Sequence, residues 1–177
     1  TSGTQTYTGA TVLSTDVTLT TTDSNVTFSS TVDGDGTARD LIIDTNGNTG
    51  TILFDGLVGN SNDLDAITIT GNLDLDAAIA NTTSISVSGT SNLGANVTTS
   101  GTQTYTGATT LSGGDRTLTG TTMNFGSTLT GTASHDLTIT GNLDLDGALT
   151  DVVDLSVSGT TDLGANVTTS GTQTYTG

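Results

Sequence analysis

One nine-residue segment, TSGTQTYTG, stands at Thr1 to Gly9, again at Thr99 to Gly107 and a third time at Thr169 to Gly177. The interval opened by the first copy, 1–98, is longer than the one opened by the second, 99–168. A chain that repeats itself must fold as repeated units, so this feature limits the architecture more than any other. The match extends upstream of the later copies: Ile67 to Gly107 and Leu137 to Gly177 align without a gap and agree at 30 positions. Downstream, GATVLSTDVTLT (Gly9 to Thr20) parallels GATTLSGGDRTLT (Gly107 to Thr119), with one inserted residue. The difference in length between the two repeats falls between GTARDLIID, ending at Asp44, and the ITITGNLDLD that opens at Ile67.

The local pattern inside the repeats has a period of two. Val17-Thr18-Leu19-Thr20, Ile67-Thr68-Ile69-Thr70 and Ser84-Ile85-Ser86-Val87-Ser88 alternate apolar and hydroxyl residues, the mark of half-buried strands. Gly closes many of them, in TYTG, TLTG, TITG and SVSG, where the chain must turn a corner. Composition agrees. Thr makes up 45 of the 177 residues, Gly 24, and Glu, Lys, Pro, Cys and Trp are absent. Thr and Val suit pleated strands, and the strong helix formers Glu and Lys are missing. With three Phe, three Tyr and one Met, the chain has few large residues for a globular core.

A stacked solenoid accepts an inserted coil easily because each coil touches only its neighbours. The expectation is therefore an all-β, parallel β-helix of about seven coils with roughly 23 to 25 residues each. Residues 1–98 form a first repeat of about four coils, with the extra coil near 41–66. Residues 99–168 form a second repeat of about three coils, and 169–177 open the next, all in one continuous solenoid. Seven coils spaced as strands are would be roughly 34 Å long. The alternative is a tandem of immunoglobulin-like β-sandwiches, which repeats of these lengths allow.

The phrases GTQTYTGA, GDRTLTG, LTITGNLDLDGAL, LSVSGT and NLGANVTTSGTQTYTG resemble the repeats of very large bacterial surface proteins of the filamentous-haemagglutinin type. The resemblance covers essentially the whole chain. It implies a right-handed parallel β-helix and secretion to the cell surface or an extracellular matrix. It also implies a structural role in adhesion, aggregation or biofilm, with no catalytic residues to carry over.

All 18 acidic residues are Asp, against Arg39 and Arg116, for a net charge of −16. Such a chain cannot neutralise phosphates, so nucleic acid and anionic membrane surfaces are not expected partners. The apolar runs are too short for membrane insertion. Catalysis has one His to draw on, and His135 in GTASHDLTIT takes the place that Arg39 holds in GTARDLIID, an exchange a general base would not tolerate. No enzyme activity is expected and no cofactor is required.

Calcium is the most credible ligand. Asp33 and Asp35 alternate with glycines in DGDGTARD and Asp40 closes it, resembling part of a calcium loop without its closing Glu. The pairs Asp74 with Asp76 and Asp144 with Asp146 put two carboxylates on one strand face, where an ion could bridge coils or where they would form a solvated acidic face. Thr-x-Thr rows would make flat hydroxyl surfaces like those of ice-binding solenoids, though outward Thr is also the ordinary polar strand residue. Tyr7, Tyr105 and Tyr175 occupy one repeat position, as core plugs or as stacking sites for sugars.

The expected partners are copies of the chain or adjacent repeats of the same chain, with surface glycans or matrix polysaccharide beside them. Thr1, Tyr7 and Gly9 at one end, and Thr169, Tyr175 and Gly177 at the other, mark where one unit would continue into the next, because uncovered strand edges pair readily.

Overall fold

The computed structural model describes residues 1–47, 49–132 and 134–177. These contain 22 short strands and no helix. Every strand pairing among them is parallel. The chain is a parallel β-solenoid of about eight turns, and the parallel pairing excludes the sandwich alternative, whose sheets are antiparallel.

The cross-section has three faces. The first is a nine-stranded sheet running from Gln5–Tyr7 through Val26–Phe28, Thr51–Phe54, Asn72–Leu75, Ser91–Leu93, Thr109–Leu111, Leu129–Thr130 and Leu149–Val152 to Val167–Thr169. The second carries the inward ladder Thr11, Val32, Val58, Ile79, Val97, Leu118, Ile139, Val157, Tyr175. The third carries Val17, Leu41, Ile67, Ile85, Gln103, Met123, Leu143, Thr161. Long strands such as Arg116–Phe125 and Leu137–Leu145 bend from the second face to the third.

The corner inside Leu137–Leu145, from the second face to the third, is made at Gly141, and its repeat equivalent Gly71 makes the corner from the third face to the first; both have positive φ, 139° and 154°. A Cβ at Gly141 would overlap the Gly120 carbonyl oxygen of the turn below. Glycine is thus required both by conformation and by the close approach of coils.

Alternation puts one side chain in two inside. Leu73 and Leu75 are buried while Asn72 and Asp74 are not, and the same holds for Leu143 and Leu145. The interior is aliphatic with two aromatic stacks: Tyr7, Phe28 and Phe54 at centroid separations of 4.9 and 5.2 Å, and Tyr105 with Phe125 at 5.2 Å. Stacked parallel rings in a rod are the direct result of placing aromatic residues one turn apart.

Turn length is not uniform. Hydrogen bonds between equivalent corners of successive turns span 26 residues from Asn25 to Thr51 but only 18 residues from Asn72 to Thr90. Leu41 pairs with Ile67, so residues 41–66 span one whole turn. Most turns are shorter than the sequence suggested, which is why the rod has about eight rather than seven. At the ordinary strand spacing eight turns span roughly 38 Å.

The three copies of the Gln-x-Tyr strand lie on three different faces. Gln5–Tyr7 is on the first, Thr102–Tyr105 on the third and Gln173–Tyr175 on the second. Counted along the ladders, three strand positions make a turn. Fourteen positions separate the first copy from the second, and eleven separate the second from the third. The two repeats are therefore four and two-thirds turns and three and two-thirds turns long, and they differ by one complete turn.

Candidate functional site

The side chains that could bind or join something fall into three groups: the aspartates, the Gln–Tyr couples, and the uncovered strand edges at the two ends of the rod.

Many aspartates act as brackets between turns. Asp16 accepts the Asp40 N–H at 3.1 Å, and Asp40 accepts the Ala66 N–H at 3.0 Å. In the second repeat Asp115 accepts from Asp136, Asp136 from Asp154 and Asp154 from Thr172, at 3.1, 3.1 and 2.5 Å. Asn25, Asn72, Asn96 and Asn142 do the same with their amide oxygens toward Thr51, Thr90, Thr117 and Thr160. Each bracket satisfies a backbone donor at a corner, where strand pairing is interrupted. The signal was present in the sequence as Asp or Asn recurring one turn apart beside a strand, but it needs the turn length to be seen.

The three aspartates of the loose calcium-loop pattern point to separate partners. Asp33 is buried and accepts from the N–H groups of Ser61 at 2.8 Å and Asn62 at 3.4 Å. Asp35 pairs with Arg39 at 3.1 Å, and that guanidinium holds its carboxyl below the usual range. Asp40 is a bracket. The two GNLDLD copies are not brought together: Asp74 and Asp76 lie on the first face, Asp144 and Asp146 on the third. Asp74 accepts from the Asn92 amide at 2.8 Å, and Asp144 stands in register between Asn124 and Asp162. Partial burial, then Asp74 and Asp55, push the Asp76 carboxyl up. Among the described residues no group of three or more His, Asp, Glu or Cys converges as a metal would require.

Tyr105 is fully buried, stacks on Phe125 and donates its hydroxyl to Gln103 Oε1 at 3.0 Å. Gln103 in turn donates to the carbonyls of Thr119 at 2.8 Å and Val97 at 3.2 Å. The Gln–Tyr bond recurs at Gln5–Tyr7, 2.8 Å, and Gln173–Tyr175, 3.1 Å. The motif thus seats an internal polar pair that closes its own hydrogen bonds, and Tyr105 has no face open to a sugar. Sequence reasoning treated Gln and Tyr separately and missed the couple.

His135 lies 3.8 Å from Asp115 on the surface. Arg116, which in the sequence counted only toward the net charge, is buried and donates its side-chain N–H groups to backbone carbonyls, those of Leu93, Gly94, Ser112 and Asp115. Its burial lowers its pKa. It ties the turn holding the inserted residue to the coil below. A groove of about 210 Å³ runs past Asp63, Asn81, Thr83, Thr98 and Ser100, with a single carboxylate.

The ends differ from the middle. Leu93 is 0% exposed, while its repeat equivalent Leu163 is 45% exposed; Tyr105 is 0% exposed and Tyr175 38%. These side chains occupy inward positions and are exposed because no further turn covers them. At the other end Tyr7, Val17 and Leu19 are only partly buried. The Thr1 amino group reaches back to the Thr20 carbonyl at 2.7 Å.

Fold and site together define a repetitive parallel β-solenoid held by internal ladders. Comparison with protein-family models, with curated proteins and with solved structures finds no match.

Proposed function

We propose that the chain is a structural and adhesive segment of a secreted bacterial surface fibre, one that joins end to end with further repeats or with copies of itself. The observation that carries this reading is the unbroken parallel ladder from Gln5–Tyr7 to Gln173–Tyr175, in which one repeated motif is seated three times as a structural strand. A ladder of this kind gains hydrogen bonds and apolar burial with each turn laid on it. The bracket aspartates and the closed Gln–Tyr couples serve the rod itself, which favours a structural protein over an enzyme, and the reading requires no cofactor. Its location would be the cell surface or an extracellular matrix, as the resemblance implies.

The test is electron microscopy and fibre diffraction of the purified chain at rising concentration. Rods lengthening with a meridional repeat near 4.8 Å are expected. A chain that stays a single short rod at every concentration would remove end-to-end joining from the proposal.

A further inference from the structure

We infer that Asn46 is a site of spontaneous covalent modification. Its side-chain amide is lost to water through a succinimide closed by the Gly47 nitrogen, which turns a neutral corner residue into an aspartyl or isoaspartyl carboxylate.

The corner that carries Asn46 has slack. Between Leu41–Asp44 on the third face and Thr51–Phe54 on the first, the chain passes from Thr45 to Gly50, whereas one turn on Gly71 alone joins Leu64–Thr70 to Asn72–Leu75. Both flanks of the long corner are fastened. The Thr45 N–H and hydroxyl each donate to the Thr70 carbonyl at 2.9 Å, the Gly50 carbonyl accepts the Asn72 N–H at 2.9 Å, and the Thr51 N–H donates to Asn25 Oδ1 at 2.9 Å. Between those fastenings Asn46 and Gly47 are exposed. Asn46 has φ of 51°, a conformation that short polar residues tolerate and that takes it out of the strand ladder.

Cyclisation requires the nitrogen of the following residue to reach the Asn Cγ. It is hindered by a side chain on that residue, by a hydrogen bond that holds its N–H, and by any bond that holds the amide. Asn46-Gly47 is the one Asn-Gly step in the sequence, and Gly47 brings no side chain. Among the described residues neither the Gly47 N–H nor the Asn46 side chain makes a hydrogen bond; the Asn46 N–H alone is engaged, by Asp44 Oδ1 at 2.7 Å. Elsewhere these conditions fail. Asn25, Asn72, Asn96 and Asn142 commit Oδ1 to an N–H of the next turn and are followed by Val or Leu. The aspartyl counterpart Asp33-Gly34 is locked at both positions, with the carboxylate on Ser61 and Asn62 and the Gly34 N–H on the Asn62 carbonyl at 3.3 Å.

In the first step the Gly47 nitrogen gives up its proton and bonds to Asn46 Cγ, the Cγ–Nδ2 bond breaks, and Nδ2 leaves as ammonia. Water then opens the ring. Attack at Cγ restores the ordinary chain with an aspartyl residue, and attack at the main-chain carbonyl leaves an isoaspartyl link that runs through Cβ and Cγ and is one atom longer. The sum is amide plus water giving carboxylate plus ammonium, with no change of oxidation state and no other reactant. The product adds one negative charge to the −16 of the chain, beside Asp44 and near Asp23, whose carboxylate lies against Gly47. The repulsion is at the surface, where salt screens it. The slack corner takes up the longer link without unpairing the strands on either side.

The test is ageing of the purified chain at pH 8 in oxygen-18 water, followed by brief digestion in mild acid and mass spectrometry of the peptides. The peptide that spans Asn46-Gly47 should split into aspartyl and isoaspartyl forms, each heavier by the exchange of amide for labelled hydroxyl, while those containing Asn25, Asn72, Asn96 and Asn142 stay unchanged. At pH 5 the conversion should slow, because the Gly47 nitrogen must lose its proton to attack. Ammonia released by the wild-type chain should be lost in Asn46→Asp, which keeps its strand circular dichroism. An Asn46 that stays intact, or that is converted at the pace of the four bracket asparagines, overturns the inference, and so does ammonia release that Asn46→Asp leaves unchanged.

Discussion

At the scale of single residues the rod depends on a few positions where turns approach closely. Gly141 has φ of 139° and its Cβ site is filled by the Gly120 carbonyl; Gly141→Ala should lower the melting temperature and destabilise by about 1–3 kcal/mol, the usual cost of forcing a side chain into a strained corner. Calorimetry of the purified variant checks this. Asp76 supplies a pH effect. Its carboxyl is pushed above 3.8 by partial burial and by Asp74 and Asp55. A raised acid favours the folded state only while protonated, so its contribution is present below the unfolded pKa and lost as pH rises through the folded one. Asp76→Asn should therefore raise the melting temperature at pH 7 and have little effect at pH 3. An unchanged melting curve at pH 7 would count against that repulsion. The alternation of Leu73 and Leu75 with Asn72 and Asp74 told from the sequence which side chains face inward. The partners of Asp33, Asp40 and Arg116 did not follow from sequence, because each lies about a turn away in the chain, and that distance depends on turns that vary in length.

At the scale of elements the strands and their glycine corners were plain in the sequence. Turn length was not. Dividing the spans 1–98 and 99–168 evenly into four and three coils assumes that each repeat ends where it began around the rod. The structure has fourteen and eleven strand positions instead, neither a multiple of three. Shorter turns follow, and one motif is seated on three faces. Its core pairing survives the move because Tyr7 beneath Phe28 on the first face and Tyr105 beneath Phe125 on the third meet the same kind of neighbour. A deletion experiment follows from the register. Val32 and Val58 are stacked partners, so removing residues 32–57 takes out one turn and should leave a chain that melts cooperatively with its strand signal intact. Removing residues 32–44 takes out two of that turn's three strands, Val32–Gly34 and Leu41–Asp44, and sets the preceding strands against partners from another face, and that chain should lose cooperative melting. Equal tolerance of both deletions would argue that the turn is not the unit of folding.

At the scale of the whole molecule the net charge of −16 is spread along a narrow rod, with Asp144 and Asp162 in register on successive turns. Repulsion of this kind opposes compaction and is screened over about 10 Å at 0.1 M salt. The melting temperature should therefore rise as monovalent salt is raised from about 0.01 to 0.5 M. A fall over that range would show that ion pairs such as Asp35–Arg39 outweigh the repulsion. The rotation of the motif from face to face has a meaning for inheritance as well. Near-identical DNA repeats exchange unequally, lengthening or shortening a gene by whole units. In most solenoids a unit that is not a whole number of turns would leave everything downstream misaligned with its core. Here the long and the short unit both stop two strands past a full turn, and the motif fits every face, so a lineage could gain or lose either unit without selecting a new interior.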